Sequence, residues 1–147
     1  MGRRASREMA MKLLYQLEIQ KDDREAQKER FFEENSLAPN DKAYINDIID
    51  GVFANNESIS NLIEKHSKGW KISRISKIDL SIMRLSIYEI CFRSDIPYNV
   101  SVNEAVELAK RYSGEEAGSF INGILSKISS IDPNISDSDT EAQKNGG

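Results

Sequence analysis

Ser76-Lys77-Ile78-Asp79-Leu80-Ser81-Ile82-Met83-Arg84-Leu85-Ser86-Ile87-Tyr88-Glu89-Ile90-Cys91 is the most apolar stretch of the chain. Leu80, Met83, Ile87, Ile90 and Cys91 recur at near-helical spacing, which predicts a helix running to about Arg93. Its opening, Ser76 followed three residues later by Asp79, fits a capping box: the serine oxygen accepts from the N3 amide and the acid reaches back to the serine N–H. Aspartate is a weaker third member than Glu or Gln. A helix this apolar is buried by its neighbours, so it is expected to be the central one.

Working towards the N-terminus, Ser58–His66 carries Ile59, Leu62 and Ile63 on one face, and Asp41–Asn55 turns Ile45, Ile48, Ile49, Val52 and Phe53 inward. Gly51 inside that second helix marks close packing or a weak point. Asn35–Asn40, with Pro39, reads as a loop. Asp23–Glu34 reads as a short helix packed mainly by Phe31 and Phe32. The first helix starts between Arg3 and Ser6 and ends near Lys21, with Ala10, Leu13, Leu14 and Leu17 as its stripe. Ser67–Arg74 is a connector whose Trp70 is expected in the core or at a hinge, with a ligand platform as the less common alternative.

Towards the C-terminus, Pro97 breaks the chain. Ser101-Val102-Asn103-Glu104 reads as a second, cleaner capping box, opening a helix to Tyr112 with Val102, Ala105, Val106 and Ala109 inward. A last helix, about Glu116–Ser129, presents Phe120, Ile121, Ile124, Leu125 and Ile128, and Gly123 within it hints at close helix contact. No stretch alternates with period two long enough for a strand. The fold class is therefore all-α, a compact bundle of about seven helices, with residues 1–130 as one domain. From Ile131 the composition turns to Ser, Asp, Asn and Gly, and residues 131–147 are expected to be a disordered acidic tail.

Composition narrows the function. The chain has 147 residues, 39% hydrophobic and 30% charged, enough for one domain with a single core. No apolar run approaches a bilayer span, and the basic N-terminus lacks an apolar signal-peptide region, so no membrane role is expected. One cysteine and no disulfide framework fit a reducing cytoplasm. Catalysis fares badly. His66, the only histidine, stands near a helix C-terminus, where a dipole partner is the commoner role, and Cys91 lies on an apolar face. One His and one Cys do not make a metal site, and no phosphate-binding glycine loop exists. No cofactor is implied.

The net charge of −4 is uneven. Asp132, Asp137, Asp139 and Glu141 against Lys144 put −3 of it in the tail, leaving about −1 elsewhere. Arg3, Arg4, Arg7 and Lys12 outnumber Glu8 at the other end. Wheel positions set Arg7, Arg4, Tyr15 and Lys12 side by side next to the apolar stripe. Guanidinium groups fork onto phosphate and a phenol can stack on a splayed base, so this strip suits RNA; the alternative is a solvated basic helix end. Asn103 and Lys110, seven apart, add a polar strip with Arg111, though Asn103 could be a satisfied polar residue near the helix N-terminus, Lys110 and Arg111 could simply be solvated, and Phe120 could be core.

At these residues a resemblance emerges. Arg3-Arg4-Ala5-Ser6-Arg7-Glu8 with Leu14-Tyr15-Gln16, then Asp79 to Glu89, Ile96-Pro97-Tyr98, Val102-Asn103-Glu104-Ala105-Val106-Glu107-Leu108-Ala109-Lys110 and Phe120-Ile121-Asn122-Gly123-Ile124-Leu125 resemble, in order and spacing, the bacterial antitermination factor family NusB. The resemblance covers about residues 3–129 and departs at Ala5, where relatives can carry another arginine, and in the acidic tail. It implies two helical subdomains, pairing with the ribosomal protein NusE, binding of single-stranded boxA RNA, and entry into the RNA polymerase antitermination complex of ribosomal RNA operons. By matching position it implies RNA contacts from Arg3, Arg4, Arg7, Tyr15, Lys110, Glu116 and Phe120, and a NusE contact from Asp79. Lys12, Asn103 and Arg111 join the RNA set from the strips above. Two other readings stay open: a protein-interaction scaffold with little RNA specificity, and a relative of the domains fused to RNA methyltransferases. Homodimer formation is also left open by the sequence.

Overall fold

The computed structural model describes residues 1–128, so the acidic stretch lies outside the described residues. Among them are seven α-helices, one 3₁₀ turn and no strand: α1 (Arg3–Ile19), α2 (Arg24–Glu34), α3 (Pro39–Ala54), α4 (Asn56–His66), the 3₁₀ turn Ile72–Arg74, α5 (Lys77–Phe92), α6 (Tyr98–Tyr112) and α7 (Glu115–Leu125).

Helix α5 is the hub. It packs against α1, α3, α4, α6 and α7. Leu80, Ile82, Met83, Leu85, Ile87 and Ile90 are all at most 4% exposed, so nearly the whole circumference is buried. The core it joins is continuous, from Leu13 and Leu14 of α1 through Ile45 and Ile48 of α3 to Ile121 and Ile124 of α7.

Several local expectations change. Pro39 is not in a loop: it opens α3, where its missing N–H costs nothing. Ser76 caps α5 as expected, accepting from the Asp79 amide at 3.2 Å, but only this half of the capping box appears. Pro97, not Ser101, precedes α6, so the second capping box does not form; the Ser101 hydroxyl turns inward and donates to Glu89 at 2.8 Å. Helix α2 is held as much by polar groups as by Phe31 and Phe32, which are half-buried: Gln27 and Lys28 are buried, and the Lys28 ammonium reaches Asp50 at 2.8 Å. Gly51 is a close-packing glycine, since a Cβ there would lie 2.2 Å from the Tyr88 ring. Gly123 is not, having open space around it; the α6–α7 approach is at Gly118, where a Cβ would lie 2.9 Å from the Lys110 stem.

Candidate nucleic-acid and partner interface

The arginines of α1 separate by burial. Arg4, Glu8, Lys12 and Tyr15 follow one another at intervals of four, four and three, so they share one helix face. Arg4 and Lys12 are exposed and Tyr15 is half-buried. Arg7 falls outside this row, in line with Met11 and Leu14, and is 3% exposed. The expectation that Arg7 lies on an RNA-facing strip is therefore corrected. Its Nε donates to Glu89 at 3.0 Å, and Glu89 is fully buried. A buried charge must be paired and hydrogen-bonded, and Glu89 has the means: the Tyr44 hydroxyl donates to the same oxygen and Ser101 to the other. Burial first, then the charge of Glu89, raises the Tyr44 pKa, which keeps the phenol protonated as a donor. The four residues come from α1, α3, α5 and α6, so this cluster locks α1 in orientation. Arg3, one turn before Arg7, is exposed and lies over the same cluster, its guanidinium 4.2 Å from the Tyr44 ring.

The outer row of α1 faces α6, and the two helices are joined there by ion pairs. The Arg4 guanidinium donates to Glu104 at 2.9 Å. Glu8 accepts from Arg111 at 2.8 Å and from the Tyr112 hydroxyl, and Lys12 lies 3.8 Å away. The Tyr112 hydrogen bond, then the Arg111 and Lys12 charges, hold the Glu8 carboxyl below its ordinary value against the effect of burial. Lys110 is within 4.0 Å of Glu107 and 3.9 Å of Glu115. Asn103 is exposed on α6. Arg4, Lys12, Tyr15, Arg111, Asn103 and Lys110 thus populate the α1 and α6 surface.

A second group lies where the 3₁₀ turn, the start of α5 and α7 meet. Trp70, Arg74, Asp79, Glu116 and Phe120 line an open groove of about 550 Å³. Trp70 is 51% exposed and meets Phe120 edge to face at 6.4 Å, so it is a groove wall rather than core. The groove brings together Asp79, singled out for a protein contact, and Glu116 and Phe120, singled out for RNA. Asp79 sits in the first turn of α5, where a negative charge suits the helix dipole, and one of its carboxylate oxygens is buried without a hydrogen-bond partner. Sequence reasoning missed Glu89, Tyr44 and Ser101. The available signal was a carboxylate midway along the most apolar helix, which demands a buried partner.

Among the described residues no helix is long and apolar enough to cross a membrane, and no group of His, Cys, Asp or Glu could hold a metal ion.

An all-α bundle threaded by one apolar helix, with a cationic α1 facing α6, describes a class of helical binding modules. Comparison makes the class specific. The NusB family profile matches residues 4–130, and the chain belongs to the NusB family. The transcription antitermination protein NusB of Acetivibrio thermocellus is 66% identical over 128 residues, covering 87% of this chain and 88% of that one. That of Ruminiclostridium cellulolyticum is 61% identical over 132 residues, covering 90% and 91%. Among solved structures, T. maritima NusB superposes with a TM-score of 0.80 at 36% identity, covering 86% of this chain and 89% of that one. A crystal structure of the antitermination factors NusB and NusE with double-stranded RNA gives 0.77 at 27% identity, covering 85% and 93%.

Proposed function

We propose that this protein is a transcription antitermination factor that binds boxA-type RNA together with NusE and supports antitermination in ribosomal RNA operons, as part of the RNA polymerase complex. The carrying observation is the α1–α6 surface, which presents cations and a half-buried tyrosine on a helix oriented by a buried cluster, in a chain belonging to the NusB family. Residues 1–130 form the binding unit. The protein works in the cytoplasm by stoichiometric binding, without turnover; the antitermination role of its relatives supports this.

Roles follow from placement. Arg4, Lys12 and Arg111 supply phosphate contacts, Tyr15 a stacking face, and Asn103 and Lys110 further polar contacts. Glu116 and Phe120 carry the RNA path into the groove, where Asp79 meets the protein partner. Arg7 acts indirectly, by orienting α1. Three or four phosphate contacts on a single strand imply a log–log salt slope of about −2 to −3. NusE would raise affinity by adding contacts in fixed geometry.

The test titrates single-stranded boxA RNA, its scrambled version and a duplex with the protein, with and without NusE, and repeats the series with Arg4→Glu/Lys12→Glu. The expected result is preference for boxA, strengthened by NusE, with the double variant at least about tenfold weaker and the salt slope shallower by about 0.7 per lost contact. Unchanged affinity in the double variant removes RNA recognition from the strip. NusE binding without boxA preference favours the scaffold reading.

A further inference from the structure

We infer that Glu8 and Glu104 are gatekeeping carboxylates: they hold the cations of the α1–α6 strip in intramolecular pairs and so set how tightly this chain takes up RNA. The inference rests on the RNA-binding reading above and adds two residues that oppose binding.

The geometry carries it. One edge of the Arg4 fork is engaged, its Nε at 3.2 and 3.1 Å from the two Glu104 oxygens and a terminal nitrogen at 2.9 Å from one of them. This is the planar two-point contact a guanidinium would otherwise make with a phosphate. The partners are unequal: the Glu104 side chain is 16% exposed and that of Arg4 72%. Glu104 is therefore a fixed acceptor seated on α6, and Arg4 is an arm lying in solvent against it. Glu8 does the same for two further cations. One of its oxygens takes Arg111 at 2.8 Å, the other lies 3.8 Å from Lys12 and accepts the Tyr112 hydroxyl, and its side chain is 23% exposed. Three cations thus converge on two carboxylates anchored at the seam between helices.

A phosphate that takes the Glu104-facing edge of Arg4, or the Glu8-facing donors of Arg111 and Lys12, must exchange with a carboxylate there. The gain of each contact is then the difference between two ion pairs, reduced further by repulsion between phosphate and the displaced carboxylate. A strip that looks basic in sequence is in this state nearly neutral towards polyanions. Removing a gatekeeper leaves a cation ready for one more phosphate.

The experiment measures binding of the same boxA RNA to the full chain with NusE by fluorescence anisotropy over a salt series, comparing wild type with Glu104→Gln, Glu8→Gln and Glu57→Gln. Glu57 is exposed in the first turn of α4 and provides the same change in net charge away from the strip cations. Glu8→Gln keeps an oxygen to accept from Tyr112. Glu104→Gln is expected to bind about fivefold tighter at low salt, with a slope steeper by about 0.7, and Glu8→Gln to change in the same direction, while Glu57→Gln matches wild type. Equal tightening by Glu57→Gln would reduce the effect to net charge and overturn the inference. Unchanged or weaker binding by a folded Glu104→Gln would overturn it too, leaving the RNA-binding reading intact. A wild-type complex that binds no RNA would sink the reading itself.

Discussion

Arg4 and Arg7 stand three residues apart on one helix, and each gives its guanidinium to a glutamate from a distant part of the chain. The Arg4–Glu104 pair keeps its arginine 72% exposed, whereas Arg7 and Glu89 are 4% and 0% exposed. The chemistry is the same and the consequence is opposite. An exposed pair in high dielectric is weak, salt-sensitive and exchangeable, which suits a surface that trades partners. A buried pair is hard to break singly, because the remaining charge has no water, and so it fixes position. Helix α1 thus carries one arginine in an exchangeable pair and the other in an anchoring one.

The largest test of this contrast is removal of the anchor. Glu89→Ala leaves Arg7 buried without a counter-charge, and Tyr44 and Ser101 without an acceptor. A loss of about 3–5 kcal/mol in urea unfolding is expected. Arg7→Met, which strands Glu89 instead, should cost about as much. The pair of changes Arg7→Met/Glu89→Ala should cost clearly less than the two singles added together, since neither charge remains; the residual loss is the two unsatisfied hydroxyls at about 1–3 kcal/mol each and the space the glutamate leaves. Arg4→Gln should leave the midpoint where it is. Equal destabilisation by Arg4→Gln and Arg7→Met would break the contrast.

Two glycines give a smaller version of the same lesson. Gly51 faces Tyr88, whose ring is held by a hydrogen bond from its hydroxyl to Asp47 at 3.0 Å and by stacking on Phe92 at 5.3 Å. Gly51→Ala forces that ring aside and should destabilise by about 1–3 kcal/mol. Gly123, inside α7 with nothing near its absent Cβ, should gain about 0.5–1 kcal/mol on change to Ala. Thermal or urea unfolding of both decides the point; a gain from Gly51→Ala would show that the Tyr88 contact is slack.

The outline of the fold was legible because burial on a helix writes itself as period: Leu80, Met83, Ile87 and Ile90 announce α5 unaided, and Ser76 announces where it starts. What could not be read was pairing across the chain. Ser101 followed by Glu104 satisfies the capping-box pattern locally, yet Pro97 already starts the helix, and both side chains turn to partners 12 and 100 residues away. Arg7 was the exception, misread although the signal existed. It stands four and seven residues before Met11 and Leu14, on the buried row, but cationic composition at the terminus drew it into the surface strip. Trp70 went the other way: its size argued for the core, and only the placement of Phe120 beside it shows an exposed groove wall.

The smallest effect expected lies in the exposed half of the contrast, at Glu8. Its folded-state pKa is depressed, with the Tyr112 hydrogen bond as the largest cause and Arg111 and Lys12 adding to it. A depressed carboxyl contributes stability that is fully present above its unfolded value, about 4.5, and is lost as pH falls through the folded value. Wild type should therefore exceed Glu8→Gln in urea midpoint by a constant margin at pH 6–7, and that margin should shrink as the pH is taken below about 4.5. Because Tyr112 can still donate to the glutamine oxygen, the difference reports the carboxylate charge itself, which strengthens the Tyr112 bond and holds Arg111 and Lys12. Midpoints that run parallel through the acid range would mean that Glu8 carries no net charge interaction in the folded state. The Glu8 part of the α1–α6 seam would then be held by the hydroxyl bond, and the Arg111 and Lys12 charges would be freely available to an incoming strand.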